Sequence, residues 1–527
     1  MSPSGELVLP AAPRQVRRAF AAPMTLSVFV AGLAAWAAYV LVPGNVDVSW
    51  LLVVCGRLLD GAQLHVDVVE VNPPFSIWLY MPFMLAERAT GLPAELCLAL
   101  GLPALALLSV GLSARILVES GVFRDVWSAW LAPIAVFVAT GLSPIDFGQR
   151  EQFALIALLP WLALLAARDR KAGFTAGTVG ARIAAGLGAA VFVMIKPPFA
   201  VLALAAPSFY LCLTRRSLRP VLTTETLLGA TVTLGYIAYL ALFHLAFFVE
   251  LMPLLREVYL PARKSLLDVT LLLPVALLGV MLLAAFIAAR PARIDRVALL
   301  LFLAALGYVP AFLIMGKGWT YQALPFLGLG LIGLIIQIWR LRPYGGLSFV
   351  SKLAVGLGLL VAVKLAAFNW DLALGQRGAA LAKARDAIAS AIDRPVIASI
   401  ATRLQPAHPL SRMVEGHYRS RYPGLWMVDN AQSLIASASD PAKSVRLTTI
   451  RDAHIAETAL ELARLQPDII LDGGSRPTIG QGAVHASPAI SAFLEDYRVL
   501  YRDSVTTVLI RSDISTVPVS AGSEADD

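Results

Sequence analysis

Apolar runs of about 20 residues recur from residue 23 to residue 367, and no other feature constrains the fold so strongly. A run of that length crosses roughly 30 Å of hydrocarbon as a helix. The runs are continuous and do not alternate, so they read as helices rather than barrel strands. With 58% hydrophobic and only 15% charged residues, a water-soluble chain of this size could not hide its apolar surface. A mainly α, polytopic membrane protein is therefore expected. We place eleven spans, at 23–43, 96–117, 127–142, 152–167, 183–195, 199–213, 222–247, 268–289, 297–315, 323–339 and 349–367. The run 74–86 is too short to span and carries Pro74 and Pro82 just after Pro73, so it reads as an interfacial helix.

Basic residues set the expected orientation. Arg14, Arg17 and Arg18 precede the first span and hold a tail, 1–22, in the cytoplasm. If 74–86 does not cross, the clusters Arg168/Arg170/Lys171/Arg182, Arg215/Arg216/Arg219, Arg290/Arg293/Arg296 and Arg340/Arg342 join them there. The net charge of +8 thus belongs to cytoplasmic loops, not to a nucleic-acid surface. The outer face then receives a long first loop, 44–95, shorter loops at 143–151, 196–198, 248–267 and 316–322, and the tail from 368. Strand-like runs at 396–400, 468–471 and 506–510, with a helical stretch at 455–465, predict an extracytoplasmic α/β domain over 368–511. Residues 512–527 are small, polar and acidic and are expected to be disordered. Cys55, Cys97 and Cys212 lie in apolar segments without metal spacing, and read as packing residues.

The outer loops hold the candidate chemistry. The first carries Asp47 directly after a span, then Arg57, Asp60, Gly61, His65, Asp67 and Glu70 before an Asn72-Pro73-Pro74 turn. A carboxylate at the lipid boundary suits a general base. Asp60 reads as a helix-end residue, with Arg57 near it. The second loop, SPIDFGQREQF, carries Asp146, Gln149, Arg150 and Glu151. Glu151 fits a helix-capping acid, whereas Asp146 and Arg150 are site candidates. Lys196 in MIKPPF and Lys317 between two glycines suit anion binding, and Arg256 and Arg263 add cations. Tyr321 joins them as a pocket residue. In the tail, the basic-aromatic HYRSRYPGLW (417–426) reads as a docking or packing segment, with stacking on an acceptor sugar as the alternative.

This first loop resembles that of the GT-C glycosyltransferases, especially family 39, the protein O-mannosyltransferases and the lipid A aminoarabinose transferases. The shared pattern is a first span, an acid (Asp47), a helix ending in glycine (Gly61), a Tyr-x-Asp-like segment (His65 to Asp67), Glu70, and a Pro-Pro turn (Pro73, Pro74). The resemblance implies that Asp47 is catalytic and that Asp146 is a second functional acid. It implies a site built from outer loops, a polyprenyl-phosphate sugar as donor, and inversion at the sugar carbon. No cofactor is required on this reading; a divalent metal is left open. This chain departs from the pattern at Val48, where many relatives have Glu, at His65, where Tyr is usual, and at Asn72, where some place a Lys.

The expected function is sugar transfer to a glycolipid, polysaccharide or protein acceptor at the outer face of a bacterial inner membrane. Lys196, Lys317, Arg150, Arg256 and Arg263 would hold the donor phosphate, and His65, Asp67, Glu70, Asp146 and Tyr321 would line the pocket. The alternatives are a polyprenyl-linked glycan polymerase or ligase, a lipid-linked sugar flippase, and a non-catalytic assembly partner. HExxH, GxSxG and Walker signatures are absent, which leaves hydrolase and nucleotide-driven readings without support.

Overall fold

A computed structural model describes residues 14–42, 44–123, 126–170, 178–195, 199–289, 294–341, 376–475 and 478–515, with isolated positions in 352–371. A bundle of apolar helices is formed by α1 (Arg14–Trp36), α5 (Ala94–Glu119), α6 (Leu131–Thr140), α7 (Arg150–Arg170), α8 (Val179–Ile195), α9 (Val201–Arg215), α10 (Thr224–Phe243), α11 (Leu273–Ala289), α12 (Arg296–Met315) and α13 (Leu324–Leu341). Among the described residues, six helical segments are long and apolar enough to cross a membrane and four more are shorter. These coincide with ten of the expected spans. The eleventh, 349–367, lies outside the continuously described residues. Segment 74–86 is broken into α3 (Phe75–Trp78) and α4 (Met81–Thr90).

Helix α7 is the axis of the bundle. Its apolar side chains point in every direction and nearly all are buried, as a helix surrounded by other helices requires. Close approach is bought by small residues: a Cβ at Gly188 of α8 would lie 2.2 Å from the Ala157 carbonyl oxygen of α7.

The arginine-rich connections meet at one end of the bundle. Arg168 pairs with Glu225, Arg215 and Arg296 both approach Asp169, at 3.7 and 3.9 Å, and Arg340 pairs with Asp295 at 3.0 Å. The loops 44–95, 143–149, 244–272 and 316–323 meet at the opposite end. There α2 (Val46–Leu59) is capped by Asn45, whose side chain accepts from the Asp47 and Val48 amides. The sequence paired Arg57 with Asp60. Instead Arg57 reaches the carbonyl oxygens of Ser420 and Asp67, and Asp60 pairs with Arg88 at 2.6 Å.

The tail folds on this second end. Its five-stranded sheet has the order β2-β1-β3-β5-β4, with β1 (Val396–Ser399), β2 (His417–Tyr418), β3 (Ile469–Gly473), β4 (Tyr497–Arg502) and β5 (Thr506–Arg511). Strand β1 runs parallel to both β2 and β3, and β5 is antiparallel to β3 and β4. Around it lie α14 (Gln376–Ala391), α15 (Ala407–Met413), α16 (Trp426–Ala436), α17 (Pro441–Leu465), α18 (Ile479–His485) and α19 (Pro488–Leu494). Strands β2 and β4 escaped the sequence reading: β2 is two residues long, and β4 faces solvent over much of its length.

Polar contacts fasten the tail to the bundle. Arg412 binds Glu87 and Glu95, the Val69 amide donates to the Arg421 carbonyl at 2.9 Å, and Arg446 pairs with Glu257 at 3.0 Å. Within segment 417–426, Ser420 and Arg421 thus pack against the first loop. Because Arg412 is largely buried between two carboxylates, Arg412→Ala is expected to loosen the tail by about 1–3 kcal/mol. Faster limited proteolysis of residues 376–515 in the purified full chain would register it.

Candidate active site

Between the bundle loops and the tail lies a cavity of about 580 Å³. Asp47, Glu70, Arg150, Arg263, Lys264 and Lys317 line it from the loop side, with the aromatic rings of Tyr259, Trp319 and Tyr321.

Asp47 occupies the first turn of α2. Its Oδ2 accepts from Gln149 Nε2 at 2.9 Å, and the same nitrogen lies 2.8 Å from Asn45 Oδ1. Asn45 in turn donates to the Ile145 carbonyl at 3.0 Å. One asparagine thus starts the helix bearing Asp47 and locks that helix to the second loop. Neither Asn45 nor Gln149 was selected from sequence. A rule that looks for Asn immediately before an apolar helix finds the first of them.

Glu70 lines the cavity as a nearly buried residue, 3% exposed. Its Oε2 accepts from Trp50 Nε1 at 2.6 Å, and its Oε1 from the Asn72 amide at 2.8 Å and the Asn72 side chain. Burial raises its proton affinity, and the Arg150 charge and these donors oppose the rise. Asp146 sits deeper still: its Oδ2 accepts from Ser143 at 2.7 Å and Thr320 at 2.9 Å, and it does not line the cavity. Burial lifts its pKa to about 6.

A raised carboxyl pKa means that the folded state favours the proton. The stabilisation is complete below the ordinary value of 3.8 and is lost as pH rises through about 6. Asp146→Asn keeps an acceptor for both hydroxyls and removes the charge. It is expected to raise thermal stability at pH 7–8 by a few °C and to change nothing near pH 4, read from unfolding curves in detergent at each pH.

Arg150 begins α7, is 5% exposed, and bonds the Ser76 hydroxyl at 3.3 Å. Glu151 beside it is fully buried, and its charge acts on the guanidinium. Glu151 stands in the first turn of α7, as the capping reading expects, and it is buried there as well. Lys317 donates to the Tyr259 and Ala262 carbonyls at 2.7 and 2.5 Å, and its Nζ lies 4.0 Å from the centre of the Tyr259 ring. Burial, and then the Arg263 charge, lower its pKa to about 8, so it stays mostly protonated at neutral pH. An ammonium has three hydrogens; two are fixed by carbonyls and the third remains for a ligand. Gly316 turns the chain there with φ +65°, and a Cβ would strike the Arg263 side chain.

No family model matches the sequence, and no curated protein matches it. Solved structures do. The crystal structure of ArnT from Cupriavidus metallidurans in the apo state overlays with TM-score 0.57 at 13% identity, over 94% of this chain and 99% of that one. ArnT bound to undecaprenyl phosphate gives 0.55 at 12%, over 92% and 97%. The chain has the fold of these two ArnT structures. An Archaeoglobus fulgidus oligosaccharyltransferase overlays with TM-score 0.40 at 12% identity, over 86% of this chain and 69% of that one.

On this frame the sequence candidates divide. Asp47, Glu70, Arg150, Arg263, Lys317 and Tyr321 meet at one cavity. His65, Asp67 and Arg256 do not line it. Asp67 folds back to accept from the Gln63 amide at 2.8 Å, because the segment read as extended makes a tight loop, with a bridge between Leu64 and Val68. His65 takes a positive φ of 70° and packs against His244 and Phe247; burial and the His244 charge lower its pKa to about 4. Arg256 points outward from the helical turn Leu255–Tyr259. Lys196 lies outside the described residues. Among the described residues no cluster of three or more His, Cys, Asp or Glu is placed to hold a metal ion.

The tail adds residues that the sequence reading did not single out, together with Pro423 and Trp426 of its segment 417–426. Leu404, Pro423, Trp426, Asn430, Ser433 and Ser437 close the cavity. About 80 residues or more separate them from the last loop, 316–322, so no local pattern pairs them with Asp47.

Proposed function

We propose that this chain is a membrane glycosyltransferase that moves a sugar from a polyprenyl-phosphate donor to a glycolipid, polysaccharide or protein acceptor, with inversion, at the outer face of a bacterial inner membrane. The observation that carries the proposal is a single cavity in which one helix-anchored carboxylate, Asp47, shares a wall with Lys317, Arg263 and Arg150. The fold it shares with ArnT, a protein crystallised with undecaprenyl phosphate, supports the donor class. In this reading residues 1–22 are cytoplasmic and the 368–511 domain is extracytoplasmic.

Asp47 accepts the proton of an acceptor hydroxyl as that oxygen attacks the anomeric carbon. The bond from that carbon to the phosphate oxygen breaks, and the phosphate leaves with the electron pair. Charge grows on the leaving oxygen during this step, and fixed cations stabilise it most where water is excluded. Attack from the side opposite the phosphate inverts the centre.

Lys317→Ala is expected to raise the donor KM at least about tenfold, the equivalent of one charge-assisted hydrogen bond, in a reconstituted transfer assay. Mass spectrometry of surface glycolipids, polysaccharides and glycoproteins from a deletion strain tests the function itself. Loss of one defined sugar is expected; unchanged glycans overturn the proposal.

A further inference from the structure

Helix α16 presents one face to the cavity. Trp426, Asn430, Ser433, Leu434 and Ser437 all line it, and their spacing places them on one side of a helix. The stripe contains no charged residue. The acid of this helix, Asp429, turns into the domain and accepts from the Gly480 amide at 3.0 Å. Gln432 likewise faces Arg451, at 2.7 Å. The charges of the cavity sit instead on the loop wall.

An indole, an amide and two hydroxyls without charge form a wall of specific chemistry. The flat indole suits the C–H face of a pyranose ring, and the amide and hydroxyls suit its hydroxyls. A phosphate or carboxylate would find no cation on this wall, and a lysine-rich peptide no carboxylate. The indole is also held in place: Tyr259 meets it edge-on, with ring centres 5.3 Å apart at 78°. The same Tyr259 ring lies under the Lys317 ammonium. A sugar on Trp426 would therefore stand one aromatic ring away from the cation assigned to phosphate.

We infer that the exposed stripe of α16 binds an uncharged sugar ring, which makes this helix the element that selects the carbohydrate substrate. The inference rests on the transferase reading for its place in a reaction, but not for the binding itself. The ring belongs either to the donor or to the acceptor, and kinetics separate the two.

The full chain in nanodiscs is titrated with methyl glycosides of neutral hexoses, of glucuronic acid and of glucosamine, followed by saturation-transfer NMR. Neutral glycosides are expected to show contact. Trp426→Ala and Asn430→Ala should weaken it about tenfold, and Trp426→Phe should restore most of it. In the transfer assay the same variants are expected to raise the KM of one substrate, the acceptor or the donor, with little change in kcat. Stronger binding of the charged glycosides overturns the inference, as does a stripe of substitutions that leaves binding and both KM values unchanged. If transfer is absent altogether while neutral glycosides still bind through Trp426, the transferase reading fails and the sugar site stands.

Discussion

Replacing Asp47 by Asn is expected to lower sugar transfer by a factor on the order of 10²–10⁴, the range assigned to a positioned general base. The amide keeps the size of the carboxylate and can still accept from Gln149, whose Nε2 lies 2.9 Å from Oδ2. The α2 cap and the α2–α7 junction therefore survive. Donor binding rests on Lys317, Arg263 and Arg150, and is expected to change by less than about threefold. The paired measurement is single-turnover transfer and binding of a labelled polyprenyl phosphate. A variant that transfers at the parental rate removes Asp47 from the chemistry and with it the proposed mechanism.

The second large effect belongs to Arg150, and it is one of stability as well as activity. This guanidinium is buried among the charges of Glu151 and Glu70. Arg150→Met leaves those carboxylates without a cation in a place that water does not reach. Breaking a buried pair by removing one partner costs about 3–5 kcal/mol. A loss of that size is expected in the unfolding midpoint of the detergent-solubilised protein. Adding Glu151→Leu should recover much of the stability, because an apolar pair of similar volume fills the same space. It should not recover transfer. If the double variant regains activity, Arg150 is only a structural counter-charge.

The bundle was legible because hydrocarbon thickness dictates helix length, and the ten described spans lie where the apolar runs do. The gathering of Asp47 and Lys317 at the end opposite Arg168, Arg215 and Arg340 was legible from loop charge alone. The course of 62–70 was not. The Asp67 side chain bonds its own loop and removes itself from the cavity. Glu151 shows a second limit: its place in the first turn of a helix was legible, but its burial is decided by tertiary packing. Trp426 shows a third, since the wall it completes is assembled from the far end of the chain.

Asn45 ties the start of α2 to Ile145 and Gln149 on the approach to α7, and α7 runs through the middle of the bundle. The carboxylate is thus referenced to the most enclosed helix of the protein rather than to the surface loop in which it is encoded. Lipid thickness and lateral pressure act on the helices around α7, which is itself 94% buried inside the described bundle. The reaction centre is in this way insulated from the bilayer it works beside, and its rate should depend on lipid composition through donor access far more than through chemistry.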